Sequence, residues 1–405
     1  MRGTTNDTRL TSLTQPPAGA IQMSIPIPGA NGEIFTWYSK TPQDEAQAES
    51  AFVIIHGVRR DADRYFKIMN NVWAEARDDG LGSAKVNSIR VAPLFFSTNE
   101  DRGVYPPNSL AWGDSNAYTA GEASTNPEGS SVSSFTVLDM FLNRFSDQTK
   151  YPNMKFITFV AHGGGAQLLQ RYAVLGQENP AEGRISVRYV VGDPSSMLYF
   201  TQDRPVAVDQ KNCPDWDKYR YGLSSYSSDY PLPFGGSLPE LFKRYAQRDV
   251  RYVVGLDDTS DTNGDQFCMA RAVGGPHRKN RTLAYWKYIH LLSGSQPEAY
   301  RNFPGTFPAL DKEDKKKKGS KPPPPSSSPQ AQIPTSSEST LNSFRGITVS
   351  HNLATVTGAG HDAQDVLASG PGMHALFNDR NSASTGASPN LGNALNGITS
   401  LTTNP

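Results

Sequence analysis

The stretch FVAHGGGAQLLQRY, Phe159 to Tyr172, joins an apolar run to a helical pattern through three consecutive glycines. The run that leads into it, KFITFVA (155–161), is short and rich in β-branched and aromatic residues, as expected for a strand buried on both faces. Glycines at the junction permit a sharp turn and close packing of the helix that follows. The stretch therefore predicts a strand–turn–helix unit.

The same alternation recurs along the chain. Further apolar runs are AFVIIHG (51–57), SIRVAPLFF (88–96), SVRYVVG (186–192), DVRYVVGL (249–256) and GITVSHNLATV (346–356). Apolar residues at helical spacing lie between them, at 65–73, 132–141 and 285–292. Strands that alternate with helices indicate an α/β fold with a mainly parallel central sheet and helices on both faces. Before these units, the segment from Ser24 predicts a β-hairpin that turns at Asn31-Gly32.

Composition excludes several classes of partner. The 405 residues carry 39 Lys plus Arg and 39 Asp plus Glu, so no excess charge favours nucleic acid. No apolar run approaches the roughly 20 residues that span a bilayer, so no membrane partner is expected.

Cys213 and Cys268 lie in loop-like segments, and an even count fits either one disulfide or two free thiols. A disulfide would favour secretion, although the N-terminal residues lack the apolar stretch of a signal peptide.

The predicted organisation is one α/β domain interrupted by segments of different composition. The domain covers 21–310 and 340–377, with a possible cap or lid insertion at about 198–241 that is rich in aromatic and turn residues. The Lys- and Pro-rich segment 311–339 cannot bury a core and is predicted to be a disordered insertion. Residues 1–20 and 378–405 are predicted to be a flexible N-terminal arm and a flexible C-terminal tail.

The glycine turn also has a possible chemical meaning. A strand that turns sharply into a helix is the setting of the G-x-S-x-G nucleophile elbow, which exposes a serine oxygen above the sheet. In this chain the serine position holds Gly163, so the glycines that permit the sharp turn are present and the nucleophilic hydroxyl is not. A phosphate-binding loop is the alternative, but the spacing matches neither G-x-G-x-x-G nor a P-loop.

Other candidate site residues follow the elbow in the order nucleophile, acid, histidine. Asp257 and Asp258 come directly after the run DVRYVVGL, and His361 lies in the turn GAGHDA after the last apolar run. After the run AFVIIHG, the backbone N–H of Val58 could form an oxyanion hole together with that of Gly164 in the glycine turn. The alternative for each polar residue is a structural role, as a turn-forming aspartate or a helix-start histidine.

Together these motifs resemble the α/β-hydrolase superfamily, and more closely a group of esterase-like bacterial and fungal proteins. The matching segments are IIHGVRRDADRYF, AHGGGAQLLQRYA, GDPSSMLYF, VVGLDDTSD, CPDW, GDQFCMARA and GAGHDA, within residues 50–377. The resemblance implies that Asp258 is the acid, with Asp257 as the alternative, and that His361 is the base. It also implies that Gly163 stands where the family has its serine.

No cofactor is expected, and no metal, because no spacing of His, Cys or Asp near His162 suggests ligation. His162 is expected to pack in the interior, and Ser195 and Ser196 to be structural hydroxyls rather than replacement nucleophiles. Three functions stay open for a small-molecule or ester substrate or ligand. They are an ester hydrolase that lacks its serine, an enzyme that uses His361 as a base without a covalent step, and a ligand-binding protein without turnover.

Overall fold

A computed structural model of the protein describes residue 10 and residues 12–311 and 331–378. Half of the predicted N-terminal arm, the Lys- and Pro-rich part of the predicted insertion and nearly all of the predicted tail lie outside these residues. No helix in the described part has the length and apolar character needed to cross a membrane.

The architecture is built on an eight-stranded sheet. Its strands are β1 (Ala20–Pro26), β2 (Glu33–Ser39), β3 (Ser50–Ile55), β4 (Ser88–Pro93), β8 (Phe156–His162), β9 (Ser186–Gly192), β11 (Asp249–Gly255) and β13 (Asn352–Val356). They lie in the order β1-β2-β4-β3-β8-β9-β11-β13. The predicted hairpin forms β1 and β2, and β2 is antiparallel to both its neighbours, whereas all other pairs are parallel.

Nine α-helices surround this sheet in the described residues. They are α1 (Ala62–Asp78), α2 (Ser134–Ser146), α3 (Gly164–Leu175), α4 (Leu238–Gln247), α5 (Cys268–Ala272), α6 (Arg278–Leu292), α7 (Glu338–Asn342), α8 (Ala363–Leu367) and α9 (Gly370–Phe377). The helices predicted from the apolar spacing at 65–73, 132–141 and 285–292 correspond to α1, α2 and α6. The predicted α/β fold is therefore confirmed.

Apolar side chains form two core layers, one on each face of the sheet. Along β3, Val53 and Ile55 belong to the layer under α2, α3, α4 and α6, whereas Phe52 and Ile54 belong to the layer under α1, α8 and α9. Successive side chains of a strand point to opposite faces, so a run of consecutive apolar residues supplies both layers. This arrangement explains why the central strands show no polar alternation.

Five short strands form two smaller sheets, and here some predicted boundaries change. The strands β5 (Phe96–Ser97), β6 (Ala111–Trp112) and β7 (Ser124–Asn126) form one sheet, and β10 (Val208–Asp209) pairs with β12 (Ala331–Gln332) in the other. The run 88–96 is thus divided between two sheets. Residues 331–339, predicted to be part of a disordered insertion, contain β12 and the first two residues of α7. β12 forms because the β10 edge supplies hydrogen-bonding partners.

Candidate functional site

The glycine turn lies at the carboxyl end of the central strand. β8 ends at His162 and α3 begins at Gly164, with Gly163 between them at φ 62° and ψ −120°. Residues with a side chain rarely adopt a positive φ, so glycine relieves the strain of this turn. Gly165 lets α3 pack closely against the end of β3, because a Cβ atom at this position would lie 2.4 Å from the carbonyl oxygen of His56. The helix can approach β3 this closely only without that side chain.

Two of the predicted site residues meet beside this turn. Asp258 follows β11 and His361 follows β13, and since these strands are parallel neighbours, both residues lie at the same edge of the sheet. Asp258 Oδ2 lies 2.9 Å from Nδ1 of His361. The alternative acid, Asp257, is exposed and donates its backbone N–H to Ala359 instead. Between the two aspartates, the structure places Asp258 against the histidine.

A third residue, which the sequence did not indicate, completes the surroundings of Asp258. Arg278, the first residue of α6, donates hydrogen bonds of 2.7–3.1 Å to both oxygens of the Asp258 carboxylate. Burial alone would raise the pKa of Asp258, but the hydrogen bonds from His361 and Arg278 outweigh it and lower the pKa to about 2. The carboxylate is therefore ionised and fixed in orientation.

The environment of His361 favours the neutral imidazole. Burial, together with repulsion from His162, lowers its pKa to about 4, against the raising effect of the hydrogen bond with Asp258. With Nδ1–H donated to Asp258, Nε2 carries the free lone pair. That nitrogen faces the glycine turn, because a Cβ atom built on Gly163 would lie 3.1 Å from Nε2.

The candidate oxyanion groups also lie together. A Cβ atom on Gly164 would lie 3.0 Å from the backbone nitrogen of Val58, so the loop after β3 and the start of α3 approach closely. Neither the N–H of Val58 nor that of Gly164 has a hydrogen-bond partner among the described residues. Two free N–H groups at one edge of a pocket can stabilise a negatively charged oxygen.

These groups open into a cavity of about 330 Å³. Its wall includes Arg220 and Tyr221 from the predicted cap segment and Phe267 from the loop after β11. The disulfide Cys213–Cys268, with 5.9 Å between the Cα atoms, joins these two segments, so that of the two alternatives for the cysteines the disulfide is confirmed. The cavity is thus bounded by chain segments that are covalently linked.

Beneath His361 lies a second polar cluster. The rings of His162 and His361 have centroids 4.4 Å apart, and His162 Nε2 lies 3.4 Å from Asp193 Oδ2. His162 is interior, as expected, but it contacts charged neighbours rather than apolar ones. The sequence analysis did not predict a role for Asp193, although this acid directly follows the run SVRYVVG, as Asp257 and Asp258 follow the run DVRYVVGL.

Of the two serines, Ser196 has the structural surroundings that were expected, whereas Ser195 lines the cavity. Ser196 is fully buried and donates to Gln167 while accepting from Arg171. Ser195 is 4% exposed, and its carbonyl oxygen accepts from Arg281. Both residues connect the strand end to its supporting helices.

Comparison with known proteins rests on structure alone, since no family model and no curated protein matches the sequence. The fold is similar to that of LpqC, a poly(3-hydroxybutyrate) depolymerase from Bordetella parapertussis, with 15% identity and a TM-score of 0.50 over 85% of this chain and 86% of that one. The chain has the α/β-hydrolase fold. Poly(aspartic acid) hydrolase-1 from Sphingomonas sp. KT-1 is also similar, with 15% identity and a TM-score of 0.49 over 87% and 96% of the two chains. Likeness at this identity concerns the fold and not the activity.

Proposed function

We propose that this protein has a site of the ester-hydrolase type whose nucleophile position is Gly163. In this proposal Asp258 and His361 are the acid and base of the site, and the N–H groups of Val58 and Gly164 form the oxyanion hole. Covalent serine hydrolysis is absent, because a glycine has no side chain to attack a carbonyl.

One observation carries the proposal, namely the direction in which a side chain at position 163 would point. Its Cβ atom would lie 3.1 Å from His361 Nε2, and the other ring nitrogen of His361 contacts Asp258 at 2.9 Å. An acid that contacts a histidine, which in turn faces the elbow position, is the spatial arrangement of a catalytic triad without its serine. A serine would require the ring of His361 to yield by a few tenths of an ångström, which its partly exposed position on a turn permits.

The substrate or ligand that fits is a small one. A cavity of about 330 Å³ has room for a short acyl or aryl group, near the lower end of ordinary ligand sites. Polar side chains such as Asn116 and Arg220 line it together with Tyr221 and Phe267. This mixture favours an ester with a polar group over a long aliphatic chain.

The test is the variant Gly163→Ser, assayed on p-nitrophenyl esters of short and aromatic acids and treated with a fluorophosphonate probe. We expect kcat/KM to rise by at least about 100-fold over the parent chain, since a serine contributes several orders of magnitude in a complete triad. The probe should label Ser at 163 and nothing in the parent chain.

Two controls make the result specific. Gly163→Ala carries the same Cβ atom without the hydroxyl, and Gly163→Ser combined with His361→Gln keeps the hydroxyl without the base. Neither control should turn over ester above the parent chain. A folded Gly163→Ser variant that neither reacts with the probe nor hydrolyses any ester would contradict the proposal.

Binding without turnover is the second candidate function, and the backbone at Gly163 favours it. Glycine adopts φ 62° without strain, whereas a catalytic serine at an elbow is held in a strained conformation. Equilibrium binding of uncleaved ester analogues to the parent chain supports this candidate. Turnover by the parent chain that disappears in His361→Gln instead supports a non-covalent reaction with His361 as base.

The disulfide bears on where the protein works. Disulfides persist in oxidising compartments, so we propose that the chain is secreted. Alkylation of the protein from its native source, without reductant, should leave both Cys213 and Cys268 unmodified. Quantitative alkylation of both thiols would contradict this localisation.

A further inference from the structure

We propose that His162, Asp193 and His361 form a binding site for a divalent transition-metal ion such as Zn²⁺. The proposal shares His361 with the proposed ester site but does not depend on it, because it rests on the cluster of three ligand atoms and is tested without any ester. Sequence spacing did not indicate it, since the three residues come from three separate segments of the chain.

The fold brings these segments together at one edge of the sheet. His162 ends β8, Asp193 follows β9 and His361 follows β13, so all three lie at the carboxyl ends of parallel strands. Each side chain places a ligand atom within 4.8 Å of the ligand atoms of the other two. Such convergence of two imidazoles and one carboxylate is the first requirement of a metal site.

His162 contributes an independent observation. The residue is almost fully buried, at 2% exposure, and its Nε2 lies 3.4 Å from Asp193 Oδ2 without forming a hydrogen bond with any described residue. Leaving a buried polar atom unsatisfied costs about 1–3 kcal/mol, so such atoms are rare in folded proteins. A metal ion bound through Nε2 would remove this cost.

Asp193 shows a second deficit that a cation would satisfy. The residue is fully buried, and its carboxylate accepts hydrogen bonds from the backbone N–H of Gly255 at 3.1 and 3.3 Å. Within the described part of the chain, no Lys or Arg forms an ion pair with it, whereas Asp258 nearby is paired with Arg278. Among the described residues its one potential cation is His162, which carries a charge only when protonated, and a divalent ion would supply a permanent positive charge.

The donor set and its surroundings suit a first-row metal. Three ligands of the types His, His and Asp, with a further position for water, are typical of catalytic zinc. Metal–ligand bonds of about 2.1 Å place tetrahedral ligands roughly 3.4 Å apart, which is the distance already present between His162 Nε2 and Asp193 Oδ2. Asp258 would hold the opposite ring nitrogen of His361, and Gly255 holds Asp193, as outer-shell partners of metal ligands do.

Gly163 has a role in this arrangement too. A serine there would place its Cβ 3.1 Å from His361 Nε2 and would compete with the ion for that nitrogen. Glycine leaves Nε2 free to ligate. The side chain of His361 is 31% exposed on a turn, so its ring can shift toward the other two ligands when an ion binds.

The experiment measures metal binding to the full chain, purified with chelator and then dialysed. Titration with Zn²⁺ in a calorimeter should give one site per chain with a Kd in the micromolar range or tighter, and elemental analysis should confirm one zinc after removal of excess. Co²⁺ should give the visible absorption bands of a nitrogen- and oxygen-ligated ion. Asp193→Asn, His162→Gln and His361→Gln should each weaken binding at least tenfold.

Asp257→Asn is the matched control, because this exposed carboxylate lies next to the site without belonging to the cluster. It should bind Zn²⁺ as the parent chain does. Since His162→Gln and Asp193→Asn change buried positions, His361→Gln is the variant on which the test depends if either of them fails to fold. Absence of stoichiometric binding at about 100 µM Zn²⁺, or equal binding by the parent chain and His361→Gln, overturns the proposal without affecting the ester-site test.

Discussion

Arg278 and His361 both contact Oδ2 of the Asp258 carboxylate. The guanidinium reaches both carboxylate oxygens at 2.7–3.1 Å, and the side chains of Arg278 and Asp258 are almost fully buried. The carboxylate of the proposed acid therefore accepts hydrogen bonds from both a histidine and a permanently charged guanidinium. Because Arg278 begins α6, the position of a helix fixes the direction of this carboxylate.

Arg278→Gln should destabilise the protein by about 3 kcal/mol, because it leaves the charge of Asp258 buried without its cation. Urea unfolding followed by circular dichroism measures the change. Arg278→Gln combined with Asp258→Asn should recover part of the loss, since that pair contains no uncompensated charge. Equal stability of Arg278→Gln and the parent chain would show that the ion pair does not support the fold.

Gly165→Ala should destabilise the chain by about 1–3 kcal/mol, because its Cβ atom would lie 2.4 Å from the carbonyl oxygen of His56, directly after β3. Gly370→Ala is the matched control. It also lies in the first turn of a helix, but a Cβ atom there meets nothing within 4 Å, so stability should change by less than about 0.5 kcal/mol. Similar melting temperatures for the two variants would contradict the packing argument.

Reduction of Cys213–Cys268 should lower the free energy of unfolding by about 2–4 kcal/mol, because the bond restricts an unfolded chain across 55 residues. Calorimetry with and without a phosphine reductant measures this. A Cys213→Ala, Cys268→Ala double variant should melt at the lower temperature in both conditions. If the reductant leaves the melting temperature of the parent chain unchanged, the disulfide does not hold the two walls of the cavity.

His56 should make the protein less stable in mild acid. Burial, with repulsion from Arg60, lowers its pKa to about 3 from an ordinary value of 6.5, and Phe95 N–H donates to its Nε2 at 3.0 Å. Between these values the unfolded state binds a proton that the folded state does not, so the free energy of unfolding falls as pH decreases below about 6.5. The fall is about 1.4 kcal/mol per pH unit for one such group.

Urea unfolding at pH 7 and pH 5 tests the role of His56. His56→Gln should show a smaller loss between the two pH values than the parent chain, even if it is less stable throughout. His374→Gln, at an exposed position on α9, should keep the loss of the parent chain. A loss that is the same in His56→Gln and the parent chain would assign the acid sensitivity to other groups.

Much of the fold could be predicted from local chemistry. Runs such as SVRYVVG, whose predicted bounds coincide with β9, are apolar because both faces of the sheet are covered, and that requirement is visible in the residues themselves. The glycine turn after β8 is equally local, since φ 62° at position 163 suits glycine. The strand that begins at Asn352 was predicted to start six residues too early, because apolar residues before it pack outside the sheet.

The sequence by itself determined the class of fold and identified Gly163, Asp258 and His361 as candidates in the expected order. Each apolar run, and each of these three positions, can be recognised from the residues next to it in the chain. Only the tertiary structure decided which aspartate contacts His361, that Arg278 holds this aspartate, and that Asp193 lies beside His162. These relationships join residues 20 to 103 positions apart. The parallel register of β8, β9, β11 and β13 brings the distant strand ends to one edge, and the packing of α6 brings Arg278 to Asp258.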